Sequence, residues 1–214
     1  MTPSDLSRRD LLRGGGALAA ATALGVTTAR TAAFAAPDGS ATPLTVREGT
    51  NISAALSPDR TTVAFDLLTA IWTVPLAGGT ATRLTDDLGD ATLPHWAPDG
   101  SRLIFQSYRD GNFHLWTIGP DGKDLVRLTS GPFDHREPRF SPDGRSIVFS
   151  SDRGGTGSYG IFRYELDSGA ITPLTDSAAE EAMPAWSPDG ARIAYTVDET
   201  AIDVLDVTSG AVTR

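Results

Sequence analysis

Apolar residues in this chain come in short bursts broken by turn residues at nearly even intervals. Four bursts are β-branched and aromatic: Thr62-Val63-Ala64-Phe65, Leu103-Ile104-Phe105, Ile147-Val148-Phe149 and Ile193-Ala194-Tyr195. That composition predicts buried strands. Each burst follows a Ser/Ala-Pro-Asp-x turn: Ser57-Pro58-Asp59-Arg60, Ala97-Pro98-Asp99-Gly100, Ser141-Pro142-Asp143-Gly144 and Ser187-Pro188-Asp189-Gly190. Pro presets φ at the first corner, Asp bonds nearby backbone, and Gly accepts a positive φ. A short strand ending in Leu56, Trp96, Phe140 or Trp186 precedes each turn. After a variable loop a third strand alternates: Ile71–Val74, Leu115–Ile118, Ile161–Tyr164 and Ile202–Leu205. Gly78-Gly79, Asp121-Gly122 or Ser168-Gly169 then turns the chain into a fourth strand ending in Leu-Thr.

The turns are spaced 40, 44 and 46 residues apart, and a Leu-Thr pair lies 13 residues upstream of each: Leu44-Thr45, Leu84-Thr85, Leu128-Thr129 and Leu174-Thr175. Four strands in 40–46 residues is the size of one propeller blade. The expected fold is therefore all-β: a partial β-propeller of about four four-stranded blades. Thr42–Val46 matches the end of a fourth strand with no blade before it, so it is expected to complete the last blade as its outer strand. In register Leu-Thr would follow Arg214, so the repeat also predicts a chain that stops inside a fourth strand. A closed four-bladed ring is the alternative.

Residues 1–35 read as an address. Ser7-Arg8-Arg9-Asp10-Leu11-Leu12-Arg13 precedes an apolar run from Gly14 to Val26, and Ala33-Phe34-Ala35 supplies an A-x-A site with cleavage expected after Ala35. The run is too short to span a bilayer. Arg8 and Arg9 resemble the twin-arginine export signal. The division expected is a signal peptide over 1–35 and propeller blades over 36–214, with the mature chain outside the cytoplasm, extracellular or periplasmic, and free of the membrane.

Pro138-Arg139-Phe140-Ser141-Pro142-Asp143-Gly144, Ile147-Val148-Phe149 and Ser151-Asp152-Arg153-Gly154-Gly155 resemble the blade signature of the TolB-type, WD-repeat-like propeller family. The resemblance covers residues 42–214. The first unit departs from it, with Arg60 in place of Gly and no Ser-Asp-Arg loop. A narrower stretch, Phe65-Asp66-Leu67-Leu68 with Ile71–Gly79 and Ala81–Thr85, is similar to the first blade of the propeller that precedes an amidohydrolase domain in secreted bacterial proteins. That resemblance implies the N-terminal part of a larger metal-dependent amidohydrolase. A stand-alone TolB-like interaction propeller and the propeller of a prolyl-oligopeptidase-type serine peptidase are the alternatives.

Composition narrows the chemistry. The 214 residues carry a formal net charge of −9, and beyond residue 35 there are 14 basic and 25 acidic residues. A polyanion such as nucleic acid is repelled by such a chain. With no cysteine, thiolate catalysis and Cys-based zinc sites are excluded. The variable loops and blade links are expected to share one face, and any ligand should bind there. The candidates are Asp134, His135, Arg136, Glu137, Arg109, Asp110, Asp152 and Arg153. Asp134–Glu137 is the one cluster with acid–base character, although a lone loop histidine is usually solvated. His95 and His114 are expected to be packing residues, and Trp72, Trp96, Trp116 and Trp186 inter-blade core. No catalytic group, metal site or cofactor is expected within this chain. The expected partner is a protein or peptide, or a C-terminal catalytic domain, and the oligomeric state is left open.

Overall fold

The computed structural model describes residues 52–86, 88–155 and 157–214. The signal segment, the expected strand at 42–46, Asp87 and Thr156 lie outside the described residues. Among the described residues sixteen strands form four antiparallel sheets of four, each in chain order. Blade 1 comprises β1 (Ala54–Leu56), β2 (Thr62–Leu67), β3 (Ala70–Pro75) and β4 (Thr82–Arg83). Blade 2 comprises β5 (Thr92–Trp96), β6 (Leu103–Ser107), β7 (His114–Ile118) and β8 (Val126–Arg127). Blade 3 comprises β9 (His135–Phe140), β10 (Ser146–Ser151), β11 (Gly160–Glu165) and β12 (Ile171–Pro173). Blade 4 comprises β13 (Glu181–Trp186), β14 (Arg192–Val197), β15 (Ala201–Asp206) and β16 (Val212–Thr213). The repeat read from the sequence is thus a repeat of sheets.

The core lies between blades. Ala64, Ile71 and Leu84 of blade 1 pack with Trp96, Leu103, Phe105 and Ile118 of blade 2. Ile104 and Leu115 of blade 2 pack with Phe140, Ile147 and Phe149 of blade 3, and Val148 and Ile161 pack with Ile193, Tyr195 and Leu205 of blade 4. Trp96, Trp116 and Trp186 sit in these layers as expected. Trp96 also donates its indole N–H to the Ala55 carbonyl at 3.1 Å, tying β5 to β1. Trp72 is half-buried and donates within its own blade to the Leu67 carbonyl at 3.0 Å.

The Leu-Thr pair follows the fourth strand and closes its pairing. Leu84, Leu128 and Leu174 donate their N–H to the carbonyls of Ile71, Leu115 and Ile161 at 2.8 Å. The next residue, Thr85, Thr129 or Thr175, accepts the N–H of that same third-strand residue on its hydroxyl at 2.9–3.0 Å. A hydroxyl at this position satisfies a buried amide that a strand of only two or three residues leaves open. The turns also form a row. Each turn glycine has a positive φ, and Gly100, Gly144 and Gly190 lie against Pro58, Pro98 and Pro142 of the preceding blade's turn. Arg60 adopts the same left-handed conformation, φ 59°, without being glycine.

The first strands β1, β5, β9 and β13 contact one another in succession and form the inner side of the arc. Three carry a register shift at equivalent places, where Leu93, Glu137 and Met183 have φ of 57°, 58° and 53°. These bulges point single amides out of the ladder. The Leu93 N–H goes to the Asp66 carboxylate at 2.7 Å and the Glu137 N–H to the Gln106 side-chain oxygen at 2.7 Å. Asp66, Gln106 and Ser150 occupy one repeat position on β2, β6 and β10. Ser150 is too short to repeat the contact. Glu137 takes over, accepting the Ser150 hydroxyl at 2.8 Å and the Met183 N–H at 2.5 Å on one oxygen.

Candidate functional site

The loops after β2, β6, β10 and β14 and the links between blades share one end of the arc. Backbone bonds stitch them together: Ala91 N–H to Thr69, Tyr108 N–H to Gly89, His135 N–H to Phe113 and Glu181 N–H to Tyr159. The expected variable face therefore exists, and the Pro-Asp-Gly turns lie at the opposite strand ends. On the turns, Asp59, Asp143 and Asp189 each accept a hydroxyl from the serine two residues before, at 2.5–2.6 Å. Those carboxylates serve the scaffold.

Four of the eight candidates meet at the junction of blades 2 and 3. Asp134, in the link before β9, donates its backbone N–H to the Asp152 carboxylate at 2.9 Å. Its carboxylate accepts the Phe113 N–H at 2.9 Å, the Arg136 guanidinium at 2.6 Å and the Tyr159 hydroxyl at 3.0 Å. The Arg136 guanidinium lies 4.4 Å from the Phe113 ring centre and 5.4 Å from that of Tyr159. Burial works to raise the Asp134 carboxyl, but the Phe113, Arg136 and Tyr159 hydrogen bonds outweigh it and hold the group below the usual carboxylate range. Asp152 and Arg153 form one turn of 3-10 helix, with Arg153 5.6 Å from the Phe133 ring centre. Arg109 and Asp110 lie elsewhere on the face and are already paired, with Asp86 and Arg127 respectively.

His135 and Glu137 are not placed as the sequence suggested. His135 is no solvated loop residue. It opens β9, is fully buried, and stands with its Nδ1 3.4 Å from the Nδ1 of His114 and its ring edge-on to Phe149. Burial, with His114 and Arg153 nearby, pushes its pKa down to about 4. Burial, with Arg127, also lowers that of His114. Both are packing imidazoles, neutral at neutral pH, at a position where the other blades have Ala70 with Ala91 and Gly160 with Glu181. The three histidines look isolated in sequence, yet two of them form this pair. Glu137 is one of the inter-blade struts described above. Among the described residues no group of three His, Asp or Glu side chains is arranged to hold a metal ion.

The sequence reading missed the exposed apolar residues of the face. Leu68, Leu88 and Tyr108 are 63%, 74% and 49% exposed. They stand on the β2–β3 turn, the blade 1–2 link and the β6–β7 loop, three segments joined by the Ala91–Thr69 and Tyr108–Gly89 backbone bonds and by the Arg109–Asp86 ion pair. Leu68 and Thr69 have φ of 51° and 65°, which is costly for a leucine and more so for a β-branched threonine. Their only signal in sequence was the presence of apolar residues in segments that should be polar.

The sequence profile of the TolB beta propeller domain matches residues 108–213. The fold is a partial β-propeller whose second half resembles the TolB type. Residues 5–25 match the twin-arginine translocation signal, so the chain carries an export signal. Among solved structures it is similar to a TolB from Agrobacterium tumefaciens described as putative, at TM-score 0.68 and 29% identity over 75% of this chain and 62% of that one. TolB from Acinetobacter baumannii matches at TM-score 0.64 and 27% identity, over 76% of this chain and 42% of that one. A puromycin hydrolase shares the fold at TM-score 0.62 and 24% identity, over 77% of this chain and 31% of that one. The chain thus spans about three fifths or less of the length of these structures. No curated protein matches it.

Proposed function

We propose that this chain is an exported binding module that holds a protein or peptide partner on its variable face, in the periplasm or outside the cell. The observation that supports the reading is the set of exposed apolar side chains Leu68, Leu88 and Tyr108 on three mutually bonded segments. Apolar and aromatic groups bordered by charge pairs are what the centre of a protein interface needs. Here Arg109–Asp86 and Arg127–Asp110 provide the polar surround. The Asp134–Arg136–Tyr159 cluster, one blade further on, is a second contact point held rigid by its own bonds.

The wider setting in this proposal is an amidohydrolase-type protein in which the propeller docks against, or gates, a metal-dependent catalytic domain. Its support is the likeness of Phe65–Thr85 to the first blade of such propellers. The coding sequence after residue 214 tests that setting: a His-x-His pair on a barrel strand favours it, a stop after further blades favours a stand-alone interaction propeller, and Gly-x-Ser-x-Gly favours a peptidase. Binding itself is tested by immobilising the exported protein and presenting the secreted and envelope proteins of the producing cell. The Leu88→Asp, Tyr108→Ala double variant should lose a partner that Arg145→Ala, on the turn face, retains. Equal retention by both variants would remove the variable-face reading.

A further inference from the structure

A concavity lies among the inner strands, away from the apolar loops. It has a volume of about 300 Å³ and is lined by Ser53–Leu56 and Pro58 of blade 1, Pro94–Trp96 of blade 2 and Arg139 of blade 3. The repeat explains its chemistry. The residue before the strand-ending Leu56, Trp96, Phe140 or Trp186 is Ala55, His95, Arg139 or Ala185. Small residues at β1 and β13 leave room, while β5 and β9 supply the two nitrogen-bearing side chains.

Arg139 is half-buried, and among the described residues no carboxylate comes within ion-pair distance of it. One of its five N–H groups donates to the Pro138 carbonyl at 2.9 Å. Arg109, Arg127, Arg136, Arg163 and Arg214 are paired with carboxylates, and Arg60, Arg102, Arg145, Arg153 and Arg192, which among the described residues are not, are exposed, so the half-buried guanidinium of Arg139 differs from both groups. Burial lowers the Arg139 pKa, with Glu137 opposing the shift, but a guanidinium remains charged at neutral pH. Desolvated in this way, it gains more from an anionic partner than an exposed arginine does. His95 stands beside it. Its Nδ1 faces the Phe140 N–H at 3.4 Å as acceptor, which leaves Nε2 as the protonated nitrogen. Burial, then Arg139, pushes its pKa down to about 4, so at neutral pH it is neutral. The cleft thus offers a planar fork and an imidazole N–H as donors, with Leu56, Pro58, Pro94 and Trp96 as apolar walls.

We propose that this cleft binds a carboxylate joined to an apolar group, with Arg139 as its two-pronged anchor and His95 as a second donor. The C-terminus of a peptide ending in an apolar residue and a free apolar organic acid share that chemistry. A pocket of this size holds a ligand of about one or two residues.

The test is a titration of the exported protein, followed by NMR through the Trp96 indole N–H, which is bonded to Ala55 at the cleft wall. The probes are N-acetyl-leucine, its amide, and acetyl-Ala-Ala-Leu with a free C-terminus. Both acids should produce a saturable shift, and the amide should bind at least tenfold more weakly. A tripeptide at least tenfold tighter than N-acetyl-leucine assigns the site to peptide termini, and equal affinity assigns it to free acids. Arg139→Gln should abolish the difference between acid and amide without moving the melting temperature, and Arg139→Lys should recover only part of it. The comparison of acid with amide needs no variant, so it stands even if Arg139→Gln misfolds. Equal binding of acid and amide by the wild type, or no saturable shift with any probe, overturns the proposal. The Leu88→Asp, Tyr108→Ala variant should bind the acids normally, which separates this site from the variable face.

Discussion

Asp66 is the most demanding test of how the blades are held in order. It is 4% exposed, and its two oxygens accept the Ser53 and Leu93 N–H groups at 2.7 Å each. One carboxylate therefore joins β2 to the segment before β1 in its own blade and to the bulge of β5 in the next. Hydrogen bonds to a charged acceptor contribute about 1.5–3 kcal/mol each. Both amides belong to half-buried residues and share one acceptor, so the two losses are not independent. Asp66→Ala should therefore destabilise the protein by about 2–4 kcal/mol. Asp66→Asn keeps one acceptor oxygen and turns an NH2 toward the other amide, and should cost about 1–3 kcal/mol. Urea unfolding gives the energies. Amide exchange at Ser53 and Leu93 locates them, because both should accelerate in Asp66→Ala while the β10–β11 amides keep their rank order. An Asp66→Ala protein within 0.5 kcal/mol of wild type, or with unchanged exchange at Leu93, would show that the apolar layer alone sets the blade order.

Three further outcomes are expected. His135 has a folded pKa depressed to about 4 from 6.5, so its contribution to stability is complete above about pH 6.5 and is lost as the pH falls toward 4; a second N–H on its ring would also find no acceptor at Nε2. Relative to His135→Gln, the wild type should lose on the order of 2–3 kcal/mol across that window, and a pH-independent difference would refute the packing role. Arg60→Gly should stabilise by about 0.5–1 kcal/mol in thermal unfolding, because residue 60 is left-handed like Gly100, Gly144 and Gly190; a loss of stability would mean that the arginine side chain outweighs its backbone strain. Replacing Arg8 and Arg9 together with Lys should leave the precursor in the cytoplasm, as seen by fractionation and blotting; normal secretion would remove the twin-arginine assignment.

Blade architecture was legible because its determinants are local. The Pro-Asp-Gly corners, the aromatic β2-type strands and the Leu-Thr pair lie at fixed offsets, and each encodes one turn or one pairing. Much of the site was not, because its contacts cross blades. His114 and His135 are 21 residues apart, and their pairing follows only once the start of a third strand is known to face the start of the next first strand. Sequence alone groups Glu137 with the variable face, because Asp134 and Arg136 lie just before it. The β9 bulge turns it toward Ser150 and Met183, where it replaces a strut that serine is too short to make. Asp134 and Arg136 did fall together as suggested, since a two-residue offset brings them to one junction, but the rings of Phe113 and Tyr159 that frame them come from two other loops. Exposed leucines in loops carry no periodic signal, so Leu68 and Leu88 emerged only with the fold.

The most direct measurement for the binding account is site-specific photocrosslinking of the exported protein in its producing cell. A benzophenone side chain is placed in turn at Leu68, Leu88 and Tyr108 on the variable face and at Arg102, Arg145 and Arg192 beside the turns of the opposite face. The account predicts one common crosslinked protein from the first three positions and none of it from the second three. Crosslinks to that protein from the turn face alone, or no crosslink at 68, 88 and 108 in folded protein, would contradict it.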